Sequence, residues 1–197
     1  FEHGHPSLAD PAQLDLQPDE IAAITVALAP TFAAVGRFFL HPSGHGYIEL
    51  AAPADIDAPP LAAVVGRGAA ALLPRGRDGA RWLRLANEAQ IALHALDLNR
   101  RRAEAGRPSI NTLWFWGAGR LPAATRAPYQ KVGGGDTLAR GLARHAGVPW
   151  QPAGDALPTA GSTLLIEERL LPPAQQLDAQ AWRDAMIALD RERLAPL

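Results

Sequence analysis

The chain has 197 residues and a formal net charge of −1, from 19 basic and 20 acidic side chains. It is 48% hydrophobic, enough to bury a core, and it holds no cysteine, which excludes disulfides, thiolate metal sites and a cysteine nucleophile. The near-neutral charge argues against a nucleic-acid partner, and without a long apolar run or a signal peptide we expect a cytoplasmic protein with no membrane partner.

The chain begins with a predicted arm and a predicted helix. We expect residues 1–17 to be a flexible N-terminal arm. Proline followed by two acids is typical of a first helical turn, and this pattern occurs at Pro18, Asp19 and Glu20. Apolar residues then recur at helical spacing, at Ile21, Ile24, Leu28 and Phe32.

The next predicted elements are a hairpin and a second helix. Residues 37–40 and 47–50 have the composition of strands, and the turn residues Pro42, Ser43 and Gly44 between them predict a β-hairpin. A helix is expected over residues 61–73.

The strongest periodic segment, residues 81–105, predicts one long helix. Beside its apolar face lies a polar stripe, and the members of this stripe are Arg81, Arg84, Glu88, Asn99 and Arg102. Glu88 and Asn99 nearly eclipse on such a helix, because they are separated by almost three whole turns. The spacing fits a ligand-binding face and a solvated polar edge equally well.

Residues 110–116 are apolar on both alternations except at Asn111 and Thr112, which predicts a central strand covered on both faces. The strand runs into Gly117 and Gly119, where bare main chain could approach an anion at the carboxyl end of a sheet. Arg120 could add a bidentate contact to a carboxylate or phosphate, and Trp116 an apolar wall. The alternative is a tight turn after a core strand, with the tryptophans as packing.

The second half alternates strands and helices. Strands are expected at 129–132 and 162–167, and helices from Asp136 to Ala146 and from Asp178 to about Leu194. We therefore expect an α/β fold, with a mixed and largely covered β-sheet, flanking helices, and an N-terminal helix plus β-hairpin. Residues 18–197 would form a single domain.

Three motifs carry a resemblance to a known family. Asn99-x-x-Arg102 is followed by Gly-x-Pro-x-x-Asn at residues 106–111 and by an apolar segment ending in Gly-Ala-Gly at 117–119. This series resembles the archaeal-type cofactor-independent phosphoglycerate mutases. The run Asn-x-Leu-Trp-x-Trp-Gly-x-Gly-x-Leu-Pro at 111–122, with Asn-Glu-x-Gln at 87–90, resembles more closely the RpfE-type regulatory proteins, a bacterial group related to those mutases.

The resemblance covers roughly residues 18–197 and implies kinship with the accessory part of the mutases, which grips the substrate. Because the sequence begins at Phe1 and runs to its end without an obvious stop, we expect a fragment of a longer protein. The catalytic half of the mutases has two divalent metals and a phosphorylated serine, and we find no Asp-Gly-x-x-Asp opening and no serine in the mutase setting here. Trp116 stands where the mutases have an arginine.

Two other patterns are assigned structural roles. His41 and His45 have a metal-ligand spacing, but the intervening Pro42 and Gly44 make a helix improbable, so we interpret them as solvated hairpin histidines. The glycine run 133–135 before Asp136 could cradle a phosphate, and we interpret it as a flexible joint with Asp136 as a helix N-cap.

The sequence predicts a mutase-like protein of the RpfE type that is non-catalytic and binds a small anionic or phosphorylated metabolite. The expected ligand-binding residues are Glu88, Asn99, Arg102, Asn111, Trp116, Gly117, Gly119 and Arg120. No catalytic residue, metal ligand or cofactor is expected, unless a missing segment supplies ligands for a divalent metal.

Two alternatives remain open. One is a structural or protein-interaction module in a regulatory pathway, in which Asn99, Arg102 and Asn111 tie loops together and the partner is a protein. The other is part of an active metal-dependent phosphotransfer enzyme whose metal site lies outside this chain.

Overall fold

A computed structural model describes residue 8 and residues 11–65, 74–123, 125–153 and 161–195 of the chain. Its elements fall in two compact units, Phe1–Arg120 and Leu121–Leu197. The expectation of one domain over residues 18–197 stays a prediction.

The first unit begins with residues that were expected to be a loose arm. Within the described residues, Pro11–Leu14 form a 3₁₀ turn, and Leu14 and Leu16 pack against the core. Helix α1 (Pro18–Phe32) follows, with Pro18 at its start and Asp19 and Glu20 in its first turn, as predicted. It buries Ile24, Leu28 and Phe32 of the predicted apolar face and, in addition, the Glu20 carboxylate, whereas Ile21 is half-buried.

The predicted hairpin is confirmed. Strands β1 (Gly36–Leu40) and β2 (Gly46–Leu50) pair antiparallel, with Phe38 opposite Ile48. Phe38 is buried beneath α1, while Phe39 and Tyr47 stack on the exposed face. The helix predicted over residues 61–73 is only a 3₁₀ turn at Leu61–Ala63, and residues 66–73 lie outside the described part of the chain.

The prediction of one long helix over residues 81–105 is wrong in one respect, because the structure has two helices there. These are α2 (Gly79–His94) and α3 (Asp97–Glu104), separated at Leu96, whose backbone is extended. The Asn99 side chain donates to the Leu93 carbonyl at the end of α2, and Asp97 supplies the acid of a new first turn. The predicted eclipse of Glu88 and Asn99 therefore does not form.

The central strand predicted at residues 110–116 is also wrong. Residues 111–122 form neither helix nor strand, although Leu113 and Phe115 pack against the core. The Phe115 ring lies 5.0 Å from Trp82 and 5.8 Å from Phe32, centroid to centroid. The Trp114 indole N–H donates to the Pro59 carbonyl over 2.9 Å. Part of its apolar composition therefore reflects packing against the core, without strand neighbours.

The core of the first unit is one continuous cluster. It is built from α1, the hairpin, α2, α3 and the segment after α3, and its buried members are Ile24, Leu28, Phe32, Val35, Phe38, Trp82, Leu85, Ala89, Leu93, Leu98 and Ile110. Most of its members come from the apolar face of α1 and from the apolar face that was predicted over residues 81–105 and lies on α2.

The second unit contains a three-stranded parallel sheet of order β4-β3-β5. Strand β3 (Lys131–Gly134) leads into α4 (Thr137–His145), which is capped by Asp136 as predicted and returns to β4 (Trp150–Gln151). Strand β5 (Thr163–Ile166) pairs with the other side of β3. The short helix α5 (Leu171–Gln175) was not predicted, and α6 (Ala179–Leu189) ends in a π-helical turn, Asp190–Leu194.

The α/β class is therefore confirmed. The described strands form two small sheets, one antiparallel pair and one parallel sheet, in place of the one mixed sheet that was expected. No helix in the described ranges combines the length and apolar character that crossing a membrane requires.

Candidate functional site

The predicted ligand-binding residue Arg102 is buried, with only 1% of its side chain exposed. Its Nη1 donates to both oxygens of Glu20 over 3.0 and 2.9 Å. Its Nε donates to the Pro108 carbonyl and its Nη2 to the Leu14 carbonyl, each over 2.7 Å. All three guanidinium nitrogens are thus engaged inside the protein, and the charge of Arg102 is paired with a carboxylate.

Two further arginines surround this ion pair. Arg107 lies 3.4 Å from Glu20 through its Nη1 and donates through its Nη2 to the carbonyls of Leu14 and Asp15. Arg101 is more loosely held, because its Nη1 lies 3.9 Å from the Asp19 carboxylate and more than half of its side chain is exposed.

These side chains line a cavity of about 180 Å³ beside the first turn of α1. We call it the arginine cavity, and its lining residues are Gln17, Asp19, Glu20, Arg101, Arg102, Ala105 and Arg107. Three guanidiniums and two carboxylates line it, and two further carboxylates contact the same arginines, since Asp15 lies 3.5 Å from Arg107 and Asp97 lies 3.8 Å from Arg101. The volume accommodates a small anion such as a phosphate or a carboxylate group.

The Glu20 carboxyl is ionised in this environment. Burial acts to raise its pKa, but the Gln17 N–H, the hydrogen bond from Arg102 and the charges of Arg102 and Arg107 outweigh that effect and hold the pKa below 4.5. The ion pair between Glu20 and Arg102 is therefore formed at neutral pH. Arg101 is the most exposed of the three arginines that line the cavity.

Asn99 has a structural position. Its Oδ1 accepts the Ile110 N–H over 2.7 Å, and its Nδ2 donates to the Leu93 and Ile110 carbonyls over 3.0 and 2.8 Å. One side chain thus joins the end of α2 to the segment that follows α3. This role matches the loop-tying function that one alternative assigned to Asn99 and Arg102.

The remaining predicted site residues are exposed, and they are Glu88, Asn111, Trp116, Gly117, Gly119 and Arg120. Within the part of the chain that the structure describes, the side chains of Glu88, Asn111 and Arg120 have no hydrogen bond or ion pair. Asn111 therefore does not tie loops together there, unlike Asn99. A Cβ added at Gly117 or Gly119 would meet nothing within 4 Å, so the turn is open to its surroundings.

The structure brings only some of the predicted residues together. Asn99 and Arg102 lie one turn apart on α3, and Arg102 lines the arginine cavity. Neither the turn at residues 117–120 nor Glu88 lines that cavity. The ligand-binding role of all eight residues stays a prediction.

Sequence reasoning missed Glu20, Arg101 and Arg107 as members of a site. Glu20 was assigned only to the favourable end of a helix, and nothing in the spacing connects it to Arg102, 82 positions away. Arg107 lies inside the Gly-x-Pro-x-x-Asn motif and could have been noticed there.

The described residues contain no group of three or more His, Asp or Glu side chains placed to hold a metal ion. His41 and His45 both lie within hydrogen-bond distance of the Ser43 hydroxyl, through Nδ1 over 2.9 and 3.1 Å. His3 and His5 are outside the described residues.

The chain is similar to known proteins over part of its length. No protein-family model matches the chain. A 2,3-bisphosphoglycerate-independent phosphoglycerate mutase of Methanosarcina barkeri is 30% identical over 100 residues, which cover 48% of this chain and 25% of the mutase. The corresponding mutase of Methanosarcina mazei is 31% identical over 72 residues, 36% of this chain and 18% of the mutase.

The chain is similar in part to phosphoglycerate mutases. A probable mutase of the same kind from Geobacter sulfurreducens is 38% identical over 50 residues, 25% of this chain and 12% of that protein. The chain thus spans a quarter or less of the length of these curated relatives. Among solved structures, the PH0037 protein of Pyrococcus horikoshii has a TM-score of 0.40 and 17% identity, over 94% of this chain and 53% of that one.

Proposed function

We propose that this mutase-like protein is of the RpfE type, that it binds a small anionic or phosphorylated metabolite in the arginine cavity, and that it does not convert that metabolite. The observation that carries the proposal is the convergence of Arg101, Arg102 and Arg107 on one cavity. The partial similarity to phosphoglycerate mutases supports a phosphoglycerate-like ligand.

The arginines of the cavity would have different roles in binding. Arg102 is enclosed, so it would hold Glu20 and the local main chain in place and make no direct contact with a ligand. Arg101 has loose partners at 3.8 and 3.9 Å and could turn toward an incoming anion at little cost. A guanidinium presents paired N–H donors to a phosphate or carboxylate, which makes Arg101 the principal anion contact.

The non-catalytic part of the proposal rests on the residues of the chain. Its sequence contains no serine in the setting that the mutases use for phosphoryl transfer. We expect no interconversion of 3-phosphoglycerate and 2-phosphoglycerate when the protein is incubated with substrate and divalent metal. Phosphorus NMR of the mixture measures this directly, and a growing signal of the second isomer would contradict it.

Isothermal titration with 3-phosphoglycerate tests the binding. Arg101→Ala should weaken binding about tenfold, because it removes a charge-assisted hydrogen bond. The matched control is Arg84→Ala, since Arg84 is exposed on α2 and lies outside the cavity. Equal affinities for the wild type and Arg101→Ala would overturn the arginine cavity as the site.

Arg120→Ala separates the cavity from the exposed turn predicted from the sequence. We expect this variant to bind 3-phosphoglycerate like the wild type. A loss of binding in Arg120→Ala, with Arg101→Ala unaffected, would move the site to the turn at residues 117–120.

A second candidate function is a structural or protein-interaction module. The internal use of Arg102 and Asn99 favours it, because both side chains are occupied with main-chain carbonyls and Glu20. A ligand that binds only the folded state must raise the melting temperature. If millimolar 3-phosphoglycerate and inorganic phosphate both leave the melting temperature unchanged, this candidate replaces the first.

A further inference from the structure

Residues 14–17, which we call the Asp15 turn, present oxygen atoms to the arginine cavity. The Leu14 carbonyl accepts from Arg102 over 2.7 Å and from Nη2 of Arg107 over 3.4 Å. The same Nη2 donates to the Asp15 carbonyl, and the Asp15 carboxylate lies 3.5 Å from it. Three oxygens of one short segment thus surround a guanidinium nitrogen that an anionic ligand would use.

The Asp15 turn is fixed in an unusual conformation. Asp15 has φ +46°, in the left-handed region where Asp and Asn are tolerated better than most side chains. Nε2 of Gln17 donates to the Asp15 carbonyl over 3.1 Å and to its carboxylate over 3.3 Å. Leu14 and Leu16, on either side of Asp15, pack against the core. The fold therefore places the carboxylate beside Arg107, although 82% of the Asp15 side chain is exposed.

The Asp15 carboxylate is the most weakly bound of the three oxygens. Nη2 of Arg107 has two hydrogens, and two main-chain carbonyls already accept from it. The carboxylate consequently acts on Arg107 mainly through its charge, and this charge opposes any second anion that approaches the same guanidinium. Because the carboxylate is exposed, water can replace its contact with Arg107 when it turns away.

We propose that Asp15 is an internal competitor of the anionic ligand and that its charge lowers the affinity of the arginine cavity. This inference rests on the proposed function, because it concerns an anion bound in the same cavity. With the carboxylate in place, Arg107 is shielded, and the more exposed Arg101 is the first contact of an anion. When the carboxylate turns into solvent, Arg107 becomes a second contact.

Isothermal titration of the full chain with 3-phosphoglycerate tests the proposal. Asp15→Asn removes the charge and keeps a side chain that tolerates the left-handed backbone. We expect its affinity to rise about threefold, the scale of one exposed ion pair. Asp15→Gly should give the same rise, since glycine also adopts this conformation. The matched control is Asp57→Asn, which changes an exposed aspartate outside the cavity and should leave the affinity unchanged.

A double variant shows whether Asp15 acts through Arg107. In a protein that carries Arg107→Gln, the further change Asp15→Asn should no longer raise the affinity for 3-phosphoglycerate. Urea unfolding verifies that each variant is folded. If Arg107→Gln does not fold, Asp15→Asn and Asp15→Gly decide the matter by themselves.

The outcomes separate this inference from the proposed function. If the wild type binds 3-phosphoglycerate and neither Asp15 variant binds it more tightly, the internal competition is wrong and the arginine cavity remains the site. A threefold rise that persists with Arg107→Gln would also overturn the competition for Arg107. If neither the wild type nor the Asp15 variants bind 3-phosphoglycerate, the proposed function is wrong and the inference with it.

Discussion

At the scale of single residues, the partners of the buried Arg102 side chain decide how the first unit is interpreted. Arg102 fits the pattern of a ligand-gripping arginine, yet Glu20 and two carbonyls engage its three nitrogens. Removing a charge from water is costly unless partners replace the hydration, and here all the partners are internal. The same residue that identifies the motif thus helps to hold α1, α3 and the N-terminal turn together.

Replacing this cation should be strongly destabilising. Arg102→Met leaves Glu20 buried without its principal partner, and we expect the free energy of unfolding to fall by about 3–5 kcal/mol. Urea denaturation followed by circular dichroism measures the loss. The control Arg84→Met changes an exposed arginine and should stay within about 0.5 kcal/mol of the wild type. A loss below about 1 kcal/mol in Arg102→Met would contradict the buried pair.

The ion pair also predicts a pH dependence. Because the pKa of Glu20 is lower in the folded state than the ordinary 4.5, its contribution to stability is complete above that value and is lost as the pH falls through the folded-state pKa. The wild type should therefore exceed Glu20→Gln in stability at pH 7, and the difference should shrink toward pH values near 3. Urea midpoints across this range test it, and a constant difference would argue against the assignment.

At the scale of elements, local periodicity predicted the helices and strands well, whereas the apolar segment without regular structure was predicted wrongly. Helix α1, the hairpin, α4 with its Asp136 cap, β5 and α6 follow from local spacing and capping chemistry. The break between α2 and α3 was missed because it depends on the Asn99 side chain, whose partners at Leu93 and Ile110 are set by the tertiary fold. The segment around Phe115 was taken for a strand because an irregular chain filling a core has the same apolar composition.

The candidate site was predictable to a smaller extent. The motif singled out Asn99 and Arg102 as ligand-binding residues, but a helical angle could not show that their side chains bond to other parts of the protein. Glu20 joins them through a contact across 82 positions, which no local pattern encodes. The turn at Gly117 and Gly119 is open to its surroundings, and its ligand-binding role stays a prediction.

Asn99 should therefore matter more than its neighbour in the motif. Asn99→Ala leaves the Ile110 N–H and carbonyl without partners, and we expect a loss of about 2 kcal/mol in the free energy of unfolding. Asn111→Ala, at an exposed position, should change it by less than about 0.5 kcal/mol. Thermal and urea unfolding of the two variants provide the comparison. Equal losses would show that Asn99 does not fasten the segment after α3.

At the scale of the whole molecule, buried apolar surface is unevenly distributed. The continuous core cluster belongs entirely to residues 1–120. Among the described residues of the second unit, the buried apolar side chains are Val132, Ala143 and Leu189. Small domains with little buried surface are marginally stable.

The two units should accordingly differ when they are produced separately. We expect a fragment of residues 1–120 to unfold cooperatively in urea, with a helical circular dichroism spectrum. A fragment of residues 121–197 should unfold at lower urea concentration, with a shallow transition. Two fragments of equal midpoint would show that the apparent difference in their cores does not determine stability.

The Glu20–Arg102 pair also has a consequence for biosynthesis. Glu20 leaves the ribosome long before Arg102, since 82 positions separate them. Throughout that interval the carboxylate must remain hydrated, so α1 cannot settle against its final neighbours. The packing of α1 in the first unit is therefore completed only after Arg102 has been synthesised. An arrested polypeptide that ends before residue 102 would expose the apolar face of α1 to chaperones.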